Sequence, residues 1–190
     1  MEKYTIDIPP FEISEFDLMS PKEADCFFQW YISNISKRLF VLSEYIKATS
    51  KTDILLDGTD ESLISIWKWL TGCMEASISL KKLKTSIKQL DFVNLFTNNK
   101  ALSVNTYAIS MDVALYFAES LIKHNKSLSW SYFTKPKNQM SVNKPIVKGF
   151  KNGIVLDPRL VVENLLFRSL KEKDDYLLLK TYLKWESLVR

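Results

Sequence analysis

The sequence predicts a mainly α (α+β) protein: a single-domain bundle of about six helices that carries a small antiparallel β-hairpin. Three observations lead there. Apolar residues recur three and four apart along most of the chain, in runs that open on helix-capping signals. The period shortens to two in one region, between residues 128 and 150. Finally, 190 residues with 46% hydrophobic content are enough for one substantial core, yet they stay within the size of a single domain, taken here as 1–190.

The chain opens on an acidic arm, 1–19. Over residues 1–25 seven acids (Glu2, Asp7, Glu12, Glu15, Asp17, Glu23, Asp25) face Lys3 and Lys22, so this segment carries −5 and the remainder +9. A helical part, 20–125, follows. Ser20 suits the N-cap, Pro21 the first turn, and Glu23 completes an S-x-x-E capping box. Phe28, Ile32, Ile35, Leu39, Leu42 and Ile46 then predict one long helix running to about residue 48. A turn at Asp57-Gly58, with Thr59 as cap, starts a second helix whose inner face is Leu63, Ile66, Trp67 and Leu70. Over 76–102, Leu80, Leu83, Ile87 and Leu90 keep helical spacing up to an Asn-Asn-Lys turn, and the segment is read as a helix.

The run "NTYAISMDVALYFAESLIKHN" is apolar around more than half of its circumference and should be the central helix. Its narrow polar stripe holds Asp112, Tyr116, Glu119 and Lys123. Two carboxylates seven residues apart could ligate a metal or act as an acid and base. A solvated edge with Glu119 and Lys123 paired at i,i+4 explains the same residues more simply and is the expectation. His124, the sole histidine, falls at the helix end, where it suits a C-terminal cap.

From residue 128 the pattern alternates. Leu128, Trp130 and Tyr132 lie on one side of a strand, and "PIVKGF" (145–150) forms a second strand whose glycine signals a bulge or a close approach. A basic loop, 134–144, joins them and completes a hairpin over 128–150. Asn152-Gly153 then turns the chain, and Asp157 caps a helix that has Pro158 at its first position and ends near residue 170. A last helix, with Leu178, Tyr182, Trp185 and Val189 inward, completes the C-terminal part, 157–190.

Most catalytic classes lose their usual support. One histidine excludes HExxH, and no nucleophile motif surrounds Cys26 or Cys73. Four dispersed glycines fit neither GxGxxG nor a phosphate-cradling loop. No cofactor, no metal and no enzymatic role are expected. The two cysteines, with no CxxC spacing, read as small buried hydrophobes in a reducing compartment. No charge-free apolar run is long enough for a membrane span, and the first residues are acidic where a signal peptide is basic and then apolar. A cytoplasmic location is expected. Lysine outnumbers arginine 22 to 4, a bias typical of AT-rich bacterial genomes.

The segment least like packing material is "WSYFTKPKNQMSVNKPIVKGF". No acid occurs between Glu119 and Asp157, while seven lysines do. The expected binding surface is therefore Trp130, Tyr132, Lys135, Lys137, Asn138, Lys144 and Lys148, with the aromatics and Ile146 anchoring the hairpin to the central helix and the lysine loop facing outward. The acidic arm should lie against it weakly and in a salt-sensitive way. Such a surface suits another protein. Interleaved lysines and aromatics also suit nucleic acid, which is the alternative, with weak sequence preference because arginine is scarce.

Three stretches, "DESLISIWKWL", "MDVALYFAESLIKHN" and "LSWSYFTKPKNQMSVNKPIVKGFKNGIVLDPR", together resemble a group of small uncharacterised bacterial proteins, somewhat similar to the immunity proteins of toxin and antitoxin gene clusters. The resemblance implies a single-domain protein-binding module without a cofactor. Inhibitors of nuclease toxins in that group are commonly acidic, whereas this chain is basic outside residues 1–25. Toxin neutralisation would then fall to the acidic arm, or be directed at a target other than a basic nuclease.

Overall fold

A computed structural model describes residues 3–79, 87–96 and 102–189. Among them are seven α-helices and one two-stranded antiparallel sheet: α1 (Pro21–Ser33), α2 (Ile35–Thr49), α3 (Asp60–Ser79), α4 (Ile87–Asn94), α5 (Val104–His124), β1 (Ser129–Ser131), β2 (Ile146–Lys148), α6 (Pro158–Ser169) and α7 (Leu177–Glu186). The protein is mainly α with a small hairpin, as its sequence periods require.

The caps form where local chemistry puts them. Ser20 accepts from the Glu23 amide while Glu23 reaches back to the Ser20 amide at 2.8 Å, closing the capping box. Thr59 accepts from the Ser62 amide at 3.2 Å, and Asp157 from the Leu160 amide at 3.1 Å, behind Pro158. Ser103 caps α5 through the Thr106 amide. The helix expected between 20 and 48 is two helices. At Asn34 (φ −100°, ψ 0°) the amide side chain donates to the Trp30 carbonyl at 2.8 Å, and Ser33 donates to the same oxygen at 2.9 Å. Two adjacent short polar side chains compete with the backbone ladder here, and the helix breaks although its apolar spacing runs on. The buried stripe of α1 is accordingly Ala24, Phe27 and Tyr31, with Phe28 only half-buried. Of the single helix expected over 76–102, residues 76–79 are the end of α3 and 87–94 form α4, while Leu80, Leu83 and the Asn-Asn-Lys turn lie outside the described residues.

The central position of α5 follows from burial on nearly every side: it packs against α2, α3, α4, α6 and α7, most extensively α6. On α3, Leu63, Ile66, Trp67 and Leu70 are all buried. The N-terminal arm belongs to the same core, contributing Tyr4, Ile6, Phe16 and Met19, each at 4% exposure or less. At about 1.5–3 kcal/mol per fully buried large side chain, the arm is held mainly by burial. Cys73 is buried, but Cys26 faces solvent, because the frame of α1 is set by Phe27 and Tyr31.

In the sheet, Ser129 pairs with Lys148, Trp130 with Val147 and Ser131 with Ile146. The far side of β2 is held by Val147, which exchanges both backbone hydrogen bonds with Leu156 at 2.8 and 2.9 Å. Gly149 has φ 115°, and a Cβ there would sit 2.1 Å from the Ser127 carbonyl oxygen, which is the close approach its position in the strand signals. Among the described residues no helix is long and apolar enough to cross a membrane.

Candidate functional site

The polar stripe expected on α5 is largely interior. Asp112 and Tyr116 are 1% and 3% exposed. Asp112 is ion-paired with Arg38 of α2, itself 2% exposed, whose Nε donates to Oδ1 at 2.6 Å; Tyr4 of the arm donates its hydroxyl to Oδ2. Burial pushes the Asp112 carboxyl up while Arg38 and Tyr4 pull it down. Burial disfavours the Arg38 charge, yet Asp112, Tyr31 and Tyr4 around it together raise its pKa. The Tyr31 hydroxyl is pushed up to about 12, chiefly by burial. This cluster ties arm, α1, α2 and α5 together. Its guanidinium has no counterpart in the sequence pattern, since a lone arginine at a core position of α2 is visible only once its partner 74 residues on is known.

Tyr116 is bound by the Gly58 amide at 2.9 Å and by Ser62, which fixes the turn before α3. Glu119 does not pair with Lys123. It accepts from the Trp130 indole at 2.6 Å, and Lys123 donates to the Asp57 carbonyl at 2.9 Å. His124 does not cap α5: its Nδ1 lies 3.1 Å from the Tyr182 hydroxyl, and Asn125 donates to the Leu121 carbonyl instead. Asp112 and Glu119 therefore have separate partners. Among the described residues no three His, Cys, Asp or Glu side chains converge as a metal-binding group. A depression lined by Val93, Phe96, Ser110, Met111 and Arg159 encloses about 210 Å³ including open solvent, less than the roughly 300–1,000 Å³ usual for ligand pockets.

The residues expected to bind fall into two groups. Trp130 and Tyr132 are half-buried and work inward. Trp130 packs edge-on to Tyr31 of α1 at 5.5 Å as well as bonding Glu119. Tyr132 stacks at 4.8 Å on Phe28 and donates to Asp25 at 3.0 Å. The hairpin is thus anchored to α1 as much as to α5, with Ile146 buried beneath it. Lys135, Lys137, Asn138 and Lys148 are exposed. Lys137 donates to the Met19 carbonyl at 2.6 Å. Lys144 is half-buried: it bonds the Met140 carbonyl at 3.0 Å and lies 5.3 Å from the centre of the Phe16 ring, and burial lowers its pKa.

The loop is therefore sewn to the acidic arm, as expected, but by other means. Its contacts are to backbone carbonyls, Lys137 to Met19 and the fully buried Asn143 to Phe16, rather than ion pairs with the arm's carboxylates. Beside this seam stand two exposed apolar side chains, Leu18 on the arm and Met140 on the loop, at 71% and 69% exposure. Neither carries a sequence signal, because an isolated apolar residue in a loop reads the same whether it points in or out.

No protein-family model, no curated protein and no solved structure matches this chain.

Proposed function

We propose that this protein is a cytoplasmic, non-enzymatic protein-interaction module of immunity type, which holds another protein on the surface where the loop 134–144 meets the arm. The observation that carries this reading is the exposure of Leu18 and Met140. They are the most exposed large apolar side chains among the described residues, on two segments joined by the bond from Lys137 to the Met19 carbonyl and by Lys144 over the Phe16 ring, and Lys135 and Asn138 of the same loop are exposed. Apolar anchors inside a polar rim are the usual anatomy of a protein interface. The nucleic-acid alternative depends on open aromatic faces, and the rings of Trp130 and Tyr132 are engaged with Tyr31 and Phe28.

The test uses tagged protein isolated from its native source. Wild type should retain a stoichiometric partner that the variant Leu18→Asp with Met140→Asp loses, with affinity reduced at least about thirtyfold, as for a hot spot. The melting temperature should not change, since both side chains are exposed. Retention of the partner by the double variant would overturn this surface. Tight oligonucleotide binding with a steep salt dependence would favour nucleic acid instead.

A further inference from the structure

The register of the small sheet leaves one strand edge open. In a β-strand the amide and carbonyl of one residue point to the same side. Both groups of Val147 go to Leu156, so Val147 and its partner Trp130 form a non-hydrogen-bonded pair. Ser129 and Ser131 therefore bond β2, and the amide and carbonyl of Trp130 point outward, where none of the described residues bonds them. The side chain of Trp130 is fixed inward by Tyr31 and Glu119, which holds this edge in place.

Charge says what would fit there. Lys126 precedes β1, Lys135 follows it, and Lys148 lies directly across from Ser129. All three are exposed, and their ammonium groups have neither an ion pair nor a hydrogen bond among the described residues. The nearby carboxylates, Glu119 and Asp25, are already bonded to Trp130 and Tyr132. A second copy of this strand would bring the same lysines into opposition, which disfavours self-pairing.

We propose that the outer edge of β1 receives an extended acidic segment of the partner protein by strand addition, with main-chain bonds to Trp130 giving affinity and the free lysines giving selectivity. The inference rests on the protein-interaction reading and adds how the partner is held.

The experiment follows backbone amide hydrogen exchange in the full chain while an acetylated peptide of alternating valine and glutamate is titrated in. Saturable binding should slow exchange of the Trp130 amide at least about tenfold, with no new protection along α6. The triple variant Lys126→Glu, Lys135→Glu, Lys148→Glu should weaken binding roughly tenfold, three exposed pairs at a few tenths of a kcal/mol each. An alternating valine–lysine peptide, and one with proline at its centre, should not bind. Absence of protection at Trp130, or equal binding of the lysine peptide, overturns the proposal. So does protection of Trp130 that rises with protein concentration alone, which would mean self-pairing. A partner lost by the Leu18 and Met140 variant while the valine–glutamate peptide leaves Trp130 unprotected would sink strand addition and leave the interaction surface standing.

Discussion

Asp112 is the residue whose loss should be felt most. It is the counter-charge of a buried arginine and the acceptor for Tyr4, so Asp112→Asn leaves Arg38 charged in a site that is 2% exposed. Removing one partner of a buried pair costs about 3–5 kcal/mol, which urea unfolding monitored by tryptophan fluorescence would measure. Replacing the group together, Arg38→Met with Asp112→Leu and Tyr4→Phe, should bring stability back toward wild type, because no uncompensated charge then remains. If the combined variant is less stable than Asp112→Leu alone, the cluster contributes more than charge compensation. At this scale the sequence misleads. A carboxylate on a narrow polar stripe reads as solvated, and its burial becomes visible only with the position of Arg38, which belongs to a different helix.

Among the elements, those specified by neighbours within four residues are legible. Ser20 with Glu23, Asp57 with Thr59, and Asp157 with Pro158 each start a helix by chemistry contained in a few positions. Ends and frames set by competition are not: the break at Asn34 is decided by side chains contending for one carbonyl, and the choice of Phe27 over Phe28 by what α1 packs against. The hairpin shows both sides. Alternation predicts its strands, yet each is only three residues long, since beyond them Phe133 accepts from the Asn143 amide in the loop and Phe150 bridges to Val189 at the C-terminal end. Gly149 controls how β2 leaves the sheet. Gly149→Ala meets a carbonyl oxygen at 2.1 Å in a backbone conformation that disfavours side chains, and should cost at least about 3 kcal/mol. Gly153→Ala, with φ 69° and nothing within 4 Å, should cost only about 1 kcal/mol. Paired thermal melts would check this, and equal losses at the two positions would mean the contact is relieved by movement of residue 127.

For the whole molecule, the arm determines stability. Charge counting finds its placement beside the basic loop but not its strength, because counting acids ignores that Tyr4, Ile6, Phe16 and Met19 are core residues. Deleting residues 1–19 removes these four, worth roughly 6–12 kcal/mol together, against a total stability of about 5–15 kcal/mol for an ordinary domain. The truncated chain should show no cooperative melt by calorimetry, while 1 M salt should shift the wild-type transition only slightly, since buried contacts are screened little. A cooperative transition in the truncated chain would return the arm to a peripheral role. The arm's contacts also fix an order of events during synthesis. Tyr4 bonds Asn105 and Asp112, and Phe16 and Met19 are held by Asn143, at separations of 101 to 127 residues. A ribosome adding about 5–20 residues per second delivers the arm first and its partners roughly 5–25 s later. For that interval the arm has its early neighbours, Tyr45 beside Tyr4 and Phe27 beside Phe16, but not the α5 and loop residues that close over it, so the nascent chain presents its apolar side chains to chaperones before it can bury them.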